Sequence, residues 1–235
     1  MGSDVWRNFI NKPKLSNYIT NMAEIGYSHY GPTFAVAGML GSLNAVILVH
    51  NICAEVTSQK SKASHFMDWF AFRPAHYVMG NFSVMDLTMA SRFTIAPNHS
   101  HEHNTLFIDA NRFSEMKSAL TAIKNSWEEA LFVAAKDGKT INTASLFAEF
   151  KELKIVAGAM ERLKTMNYWE PGEYNVKVRV TTENPKQFFD IKRNFVLTNA
   201  DTETLLSNVP LIISNICRQP HMTYACTTPA LTIKK

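Results

Sequence analysis

The chain has 235 residues, 46% of them apolar and 11% aromatic, which can fill a real core and excludes wholesale disorder. Twenty-four Lys and Arg against twenty Asp and Glu leave +4 with no run of basic residues, so nothing demands a nucleic-acid partner. Three cysteines in this length rule out a disulfide-scaffold miniprotein, and the length itself argues against a repeat array or a multi-domain enzyme.

An N-terminal segment, residues 1–30, precedes the stretch GPTFAVAGMLGSLNAVILVHNICA, Gly31 to Ala54, which carries no charged side chain and is bounded by Glu24 and Glu55. As a helix rising 1.5 Å per residue it would be about 36 Å long, enough to cross a hydrocarbon core of about 30 Å with some tilt. Pro32 suits a first helical turn and Gly31 the cap before it. The long lead-in favours a retained anchor over a cleaved signal. Residues 31–54 are therefore expected to form one helix, transmembrane or, given the polar interruptions at Ser42, Asn44, His50 and Asn51, buried in protein. Ala37, Gly38, Gly41, Ser42 and Ala45 would share one helical face with Asn44 at its edge, a surface that lets a second helix approach closely. Homo-oligomers, other protein subunits and membrane lipid are the partners this face implies.

Residues 55–64 read as a polar linker into an α+β domain at 65–235. Residues 65–97, rich in aromatics and Met, suggest a short helix among irregular packing segments. From Asn111 to Lys136 apolar residues recur at three or four, through Phe113, Met116, Leu120, Ile123, Trp127, Leu131 and Ala134, so an amphipathic helix is predicted, capped by Asp109 or Asn111. A second is predicted from about Ala144 to Met166, capped by Thr143. The period then changes to two: Glu173 to Val180 alternates polar and apolar and Phe188 to Thr198 returns, an antiparallel hairpin. Val209–Cys217 and Met222–Thr232 are further candidate strands, the latter an edge because of Pro229. Amphipathic helices would thus pack on an antiparallel sheet.

No hydrolase elbow, phosphate loop, dinucleotide fingerprint or Cys-x-x-Cys occurs, so no catalytic, cofactor-binding or metal residue is assigned. The nearest candidate is Pro97-Asn98-His99-Ser100-His101-Glu102-His103-Asn104, whose alternate histidines would share a face on a strand beside a carboxylate, suitable ligands for zinc. It matches no known zinc spacing, and the flanking Asn residues favour a solvated loop. His50, Asn51 and Cys53 read as polar residues at the end of a helix. Cys217 and Cys226 could face each other across a hairpin turn, bridged only in an oxidising compartment. Lys177, Arg179, Lys192 and Arg193 form a basic stripe whose plain reading is a solvated strand face.

The order of a short N-terminal segment, one span, a linker, amphipathic helices and a meander, with Tyr174 to Val180 and Phe188-Phe189-Asp190-Ile191-Lys192 in local pattern, resembles the TraE-like family of bitopic inner-membrane subunits of type IV secretion and conjugation machines. The likeness covers about residues 30 to 200 in organisation. It departs in the long lead-in, the polar span, the histidine segment and an apolar stretch at 205–235. The resemblance implies a nuclear-transport-factor-like fold and a non-enzymatic, single-pass subunit of the bacterial inner membrane, which oligomerises and touches other channel components and takes no cofactor or small-molecule substrate. Two other readings stay open. One is a soluble structural subunit of a viral or secretory particle, and the other a metal-dependent enzyme using His99, His101, Glu102 and His103.

Overall fold

Residues 31 to 54 do not form a helix. In the computed structural model, which describes residues 14–73, 78–79, 82–83, 87–136, 141–183, 186–218 and 223–233, they form two strands, β2 (Gly31–Leu43) and the first part of β3 (Ile47–Ser58). The turn between them is held by the Ser42 hydroxyl donating to the Ala45 carbonyl and by Asn44 in the left-handed region, φ 70°. Thr33, Val36, Val46, Ile47, Val49 and Ile52 are β-branched and favour extended backbone, whereas Gly38 and Gly41 would weaken a helix. The run looked like a membrane span because it carries no charge and its first part, Gly31 to Val36, is buried on both faces and so shows no alternation. Among the described residues no helix is long and apolar enough to cross a membrane, and the single-pass, inner-membrane placement is overturned with the helix.

The small residues have a different use from the one expected. Ala37, Gly38, Gly41 and Ser42 lie on β2 and Asn44 and Ala45 in the turn, so they present no helix-contact face. A Cβ at Gly38 would stand 2.5 Å from the Tyr18 carbonyl oxygen, and one at Gly41 would collide with the Ser16 hydroxyl. Both glycines let the preceding strand, β1 (Lys14–Ser28), cross closely over β2. That strand lay hidden in the N-terminal segment because the ladder slips between Ile19 and Ala23, which breaks the alternation.

The remaining strands are β4 (Ser64–Phe72), the two-residue β5 (Val78–Met79), β6 (Phe82–Ser83) and β7 (Thr88–Met89), β8 (Phe93–Ile95), β9 (Ser100–Ile108), β10 (Gly172–Thr182), β11 (Gln187–Leu197) and β12 (Cys226–Thr227). The sheet runs β11-β10-β3-β4-β9-β2-β1-β12, with antiparallel neighbours throughout; β8 adds to β3 and β7 to β4, while β5 and β6 pair with each other. The expected hairpin is β10 and β11, in register from Gly172↔Leu197 to Thr182↔Gln187. The expected linker, 55–64, is the end of β3, a turn and the first residue of β4, and the described part of 65–97 is strand and connection with no helix. Beyond β12, single bridges join Ala230 to Met22 of β1 and Thr232 to Asn194 of β11.

Helix α1 (Ala110–Lys136) starts where the Asp109 carboxylate accepts the Arg112 N–H at 3.0 Å, and it buries Met116, Ala119, Leu120, Ile123 and Trp127. The second expected helix is two: α2 (Thr143–Lys151), capped by Asn142 rather than Thr143, and α3 (Lys154–Met166), separated where Leu153 takes extended backbone. The break lets Phe147 and Phe150 meet the Trp127 ring edge-on at 5.7 and 5.2 Å, while Val156 and Leu163 are buried separately. Polar contacts tie the sheet to what packs on it: the Tyr27 hydroxyl donates to the Leu163 carbonyl of α3, and the Trp169 indole N–H, in the connection after α3, donates to the Gly26 carbonyl at 3.1 Å.

Val209–Cys217 is not a strand. It belongs to α5 (Asn208–Ile216), which buries Val209, Ile212 and Ile213 at helical spacing and tolerates Pro210 in its first turn. A short α4 (Asn199–Leu206) precedes it, closed by a reciprocal cap between Thr198 and Asp201. Of the expected strand from 222 to 232, residue 222 lies outside the described residues and only Cys226–Thr227 and the two bridges are paired. The fold is α+β as expected, with the sheet dominant.

The two glycine environments make opposite predictions. Gly38→Ala should destabilise by about 1–3 kcal/mol because the obstacle is backbone oxygen. Gly158→Ala, in α3 with nothing within 4 Å of the added methyl, should stabilise by about 0.5–1 kcal/mol. Trp127→Ala should cost about 3–5 kcal/mol, against under about 0.5 kcal/mol for exposed Lys124→Ala. Urea melts of the four variants check all of this, and equal midpoints within either pair would show the packing to be misplaced.

Candidate functional site

The histidine segment is a strand rather than a solvated loop. Asn98, with φ 59°, turns the chain after Pro97; its N–H bonds to the Ser42 carbonyl at 2.8 Å, and the Ser42 N–H to the His99 carbonyl at 3.0 Å. The chain therefore enters β9 already in register with β2, and Gly38 lies opposite His103, Met39 opposite Glu102 and Leu40 opposite His101.

Strand alternation then separates the four candidate ligands. His101 and His103 share a face, Glu102 points the other way, and His99 is exposed with its Nδ1 2.9 Å from the Pro97 carbonyl oxygen. No group of three or more His, Cys, Asp or Glu close enough to hold a metal ion occurs among the described residues. His103 Nδ1 lies 2.7 Å from the hydroxyl of fully buried Thr105. The His101 ring stands 4.3 Å from Phe93 and 5.3 Å from Phe72. Burial in this aromatic setting pushes both imidazoles down, His103 to about 4 with a further contribution from the His101 charge. The pair is neutral near pH 7, apolar in behaviour and able to exchange single hydrogen bonds.

Arg73, which sequence reasoning passed over, continues β4 past Phe72. Its N–H donates to the Asn104 carbonyl at 2.8 Å, and its guanidinium reaches Glu24 at 2.5 Å and the Asn104 side-chain oxygen at 3.4 Å. The side chain is only 5% exposed, so this pair is a sheltered one, and removing Glu24 would strand a buried charge. The Arg73 Nε is buried and without a hydrogen bond in the structure.

Arg73 is also where β4 ends, so from Asn104 back to Ser100 the strand β9 has β2 on one side and no described strand on the other. The Asn104 carbonyl faces β4, and by the two-residue alternation the backbone groups of Glu102 and Ser100 face that same vacated side. A cleft of about 780 Å³ opens there, lined by Tyr18, Met39, Phe72, Arg73, His101 and Glu102 among others. Tyr18 and Met39 are paired across β1 and β2 and both are exposed.

The other candidates disperse. Cys53, Cys217 and Cys226 form no disulfide; Cys217 is buried at the end of α5 and Cys226 opens β12, so the possible bridge across a turn is not made. His50, Asn51 and Cys53 lie along β3, where His50 is 3.8 Å from Glu183. Two members of the basic stripe are paired across strands: Lys177 with Glu55, and Arg179 with Asp190 through two bonds of 2.7 and 2.8 Å.

No family model matches the chain, and no curated protein matches it in sequence. Two solved structures share part of its course. One is a family 123 glycoside hydrolase from Clostridium perfringens, 6% identical over 80% of this chain with a TM-score of 0.35; the chain spans 28% of that protein. The other is a protein from Archaeoglobus fulgidus, 9% identical, covering 80% of this chain and 96% of that one with a TM-score of 0.28. Likenesses this loose bear on neither fold nor activity, and neither concerns secretion or conjugation.

The neutral histidines give the site a pH signature. Above about 6.5, the ordinary histidine value, His103 is unprotonated folded or unfolded and contributes no pH dependence. Between 6.5 and about 4 the unfolded chain gains a proton that the folded chain refuses, so stability falls as pH falls, by at most about 1.4 kcal/mol per pH unit for one group. Urea melts at pH 4.5 to 7 should show that slope, and His103→Gln should flatten it; an unchanged slope would place His103 in solvent.

Proposed function

We propose that the protein is a non-enzymatic assembly subunit that takes an extended segment of a partner protein at the free edge of β9. The observation that carries this reading is the backbone of Ser100 and Glu102, which meets no described strand on the side where the cleft of about 780 Å³ opens. An open sheet edge is a template for a further strand, whose main chain supplies the bonds and whose alternate side chains supply specificity. Met39 and Tyr18 offer apolar surface on one side of that edge, and Phe72 with the two neutral histidines offers it on the other. The guanidinium at this cleft, Arg73, is held by Glu24. The hydroxyl–imidazole contact beside this cleft, Thr105 with His103, has its hydroxyl fully buried, and the cleft brings together no carboxylate pair among the described residues, which supports binding over chemistry.

Glu102 gives a selective test, because its N–H faces the vacant side and proline there removes that donor without breaking the ladder to β2. Peptides selected on the folded chain from a displayed random library should bind along β9 and lose at least tenfold in affinity to Glu102→Pro, while Glu102→Gln binds as before. Thermal midpoints of both variants should stay near that of the parent. Selected peptides that bind Glu102→Pro as tightly as the parent would refute the edge as the working surface.

A further inference from the structure

The sheet ends in two edges, β1 and β11, and the last described residues of the chain close the gap between them. Thr227 and Cys226 pair with Ile25 and Gly26. The Pro229 carbonyl accepts the Ala23 N–H at 3.1 Å, and the Leu231 N–H donates to the Asn21 carbonyl at 2.7 Å. The next residue turns to the opposite edge: Thr232 exchanges two bonds of 2.8 Å with Asn194 of β11. Residues 226–232 thus hold both edges at once, as a strap.

The strap is thinly fastened. Only Thr227 and Leu231 are buried along it, Cys226, Thr228, Ala230 and Thr232 are exposed, and the Thr227 hydroxyl is buried with no hydrogen bond. Pro229 can donate nothing to either edge. A cleft of about 520 Å³, lined by Glu173, Asn194, Phe195 and Pro229 among others, lies beside it. Its root is fastened far better. The Asn208 side chain bonds the N–H and carbonyl of Ala225 at 2.8 and 2.7 Å and the Tyr27 carbonyl at 2.9 Å. A firm root and a loose strap put the pivot between Ala225 and Cys226.

We propose that residues 226–232 form an exchangeable strap, and that two copies of the chain associate by trading it. Because pairing begins at Cys226, directly after the pivot, two copies that trade straps meet at their Ala225–Cys226 pivots, where each strap passes straight onto the other copy. Each strap would remake the same bonds on the other copy's β1 and β11, which makes an identical chain the best-fitting occupant. Docking has an additional gain on this side. On β11, Val196 next to the seam is 58% exposed and Phe188 at the far end of the strand 68%, and the backbone of Lys192, Asp190 and Phe188, which alternation aims at the same edge as Asn194, meets no described strand. A second copy would cover both.

Met22 and Ala230 give a direct test. They form a narrow antiparallel bridge, flanked by the bonds at Ala23 and Asn21, which is the pair geometry that accepts a disulfide, and both are exposed. In a background of Cys53→Ser and Cys226→Ser, full-length Met22→Cys chain of natural isotope composition is mixed with heavy-isotope Ala230→Cys chain, incubated at high concentration and oxidised. The expected product is a covalent light–heavy dimer whose bridge joins positions 22 and 230 by mass spectrometry. The Met22→Cys, Ala230→Cys double variant, oxidised while dilute, should close the bridge within one chain and remain monomeric by light scattering at concentrations where the parent dimerises. A double variant that closes internally while the mixture yields no light–heavy bridge would overturn the exchange. A double variant that never closes would overturn the strap itself.

Discussion

Backbone pairing is the constraint on which this molecule depends. A strand buried on both faces, as β2 is from Gly31 to Val36, has no water to satisfy its N–H and carbonyl groups and must have a strand on each side. β1 and β9 supply them, and Gly38 and Gly41 allow β1 to come close enough. From that centre the sheet extends outward until its two ends meet on the C-terminal segment. Where the pairing lapses, at Ser100 and Glu102 of β9, the surface becomes interesting for binding.

The long helix α1 and the final hairpin were legible because each shows its own period. Met116, Leu120, Ile123 and Trp127 recur at helical spacing, and Tyr174, Val176, Val178 and Val180 at strand spacing with one face dry. The first half of the sheet was not legible, for two physical reasons. A central strand loses its alternation when both faces are covered, and the slip between Ile19 and Ala23 scrambles that of β1. The order of small residues on β2 fitted a helix contact equally well, since a close approach of backbones asks for glycine in either setting. The α4 signal, by contrast, was present in Thr198-Asn199-Ala200-Asp201, a reciprocal cap pattern easily lost beside the stronger strand before it. Ile212 and Ile213 read as a strand because a nine-residue apolar run carries too little periodicity to choose.

The histidines show how far composition can mislead about chemistry. Three imidazoles and a carboxylate within five residues suggest ligands, but a strand sends Glu102 away from His101 and His103, and burial then makes the two that remain together poor bases. Arg73, the residue that anchors this edge, sits in no motif. Its part follows from where β4 stops and from Glu24, 49 residues earlier in the chain, and only the folded chain brings these together.

The bonds between β1 and the strap join residues such as Ile25 and Thr227, about two hundred positions apart. On a ribosome adding about 5–20 residues per second, the first strand leaves the tunnel roughly 10–40 seconds before its outer neighbour has been made. Throughout that interval its outer edge is a sticky ribbon among other nascent chains. The slipped ladder at Ile19 to Ala23 bends and twists that ribbon, which makes it a poor template for wrong pairing until residues 226–232 emerge.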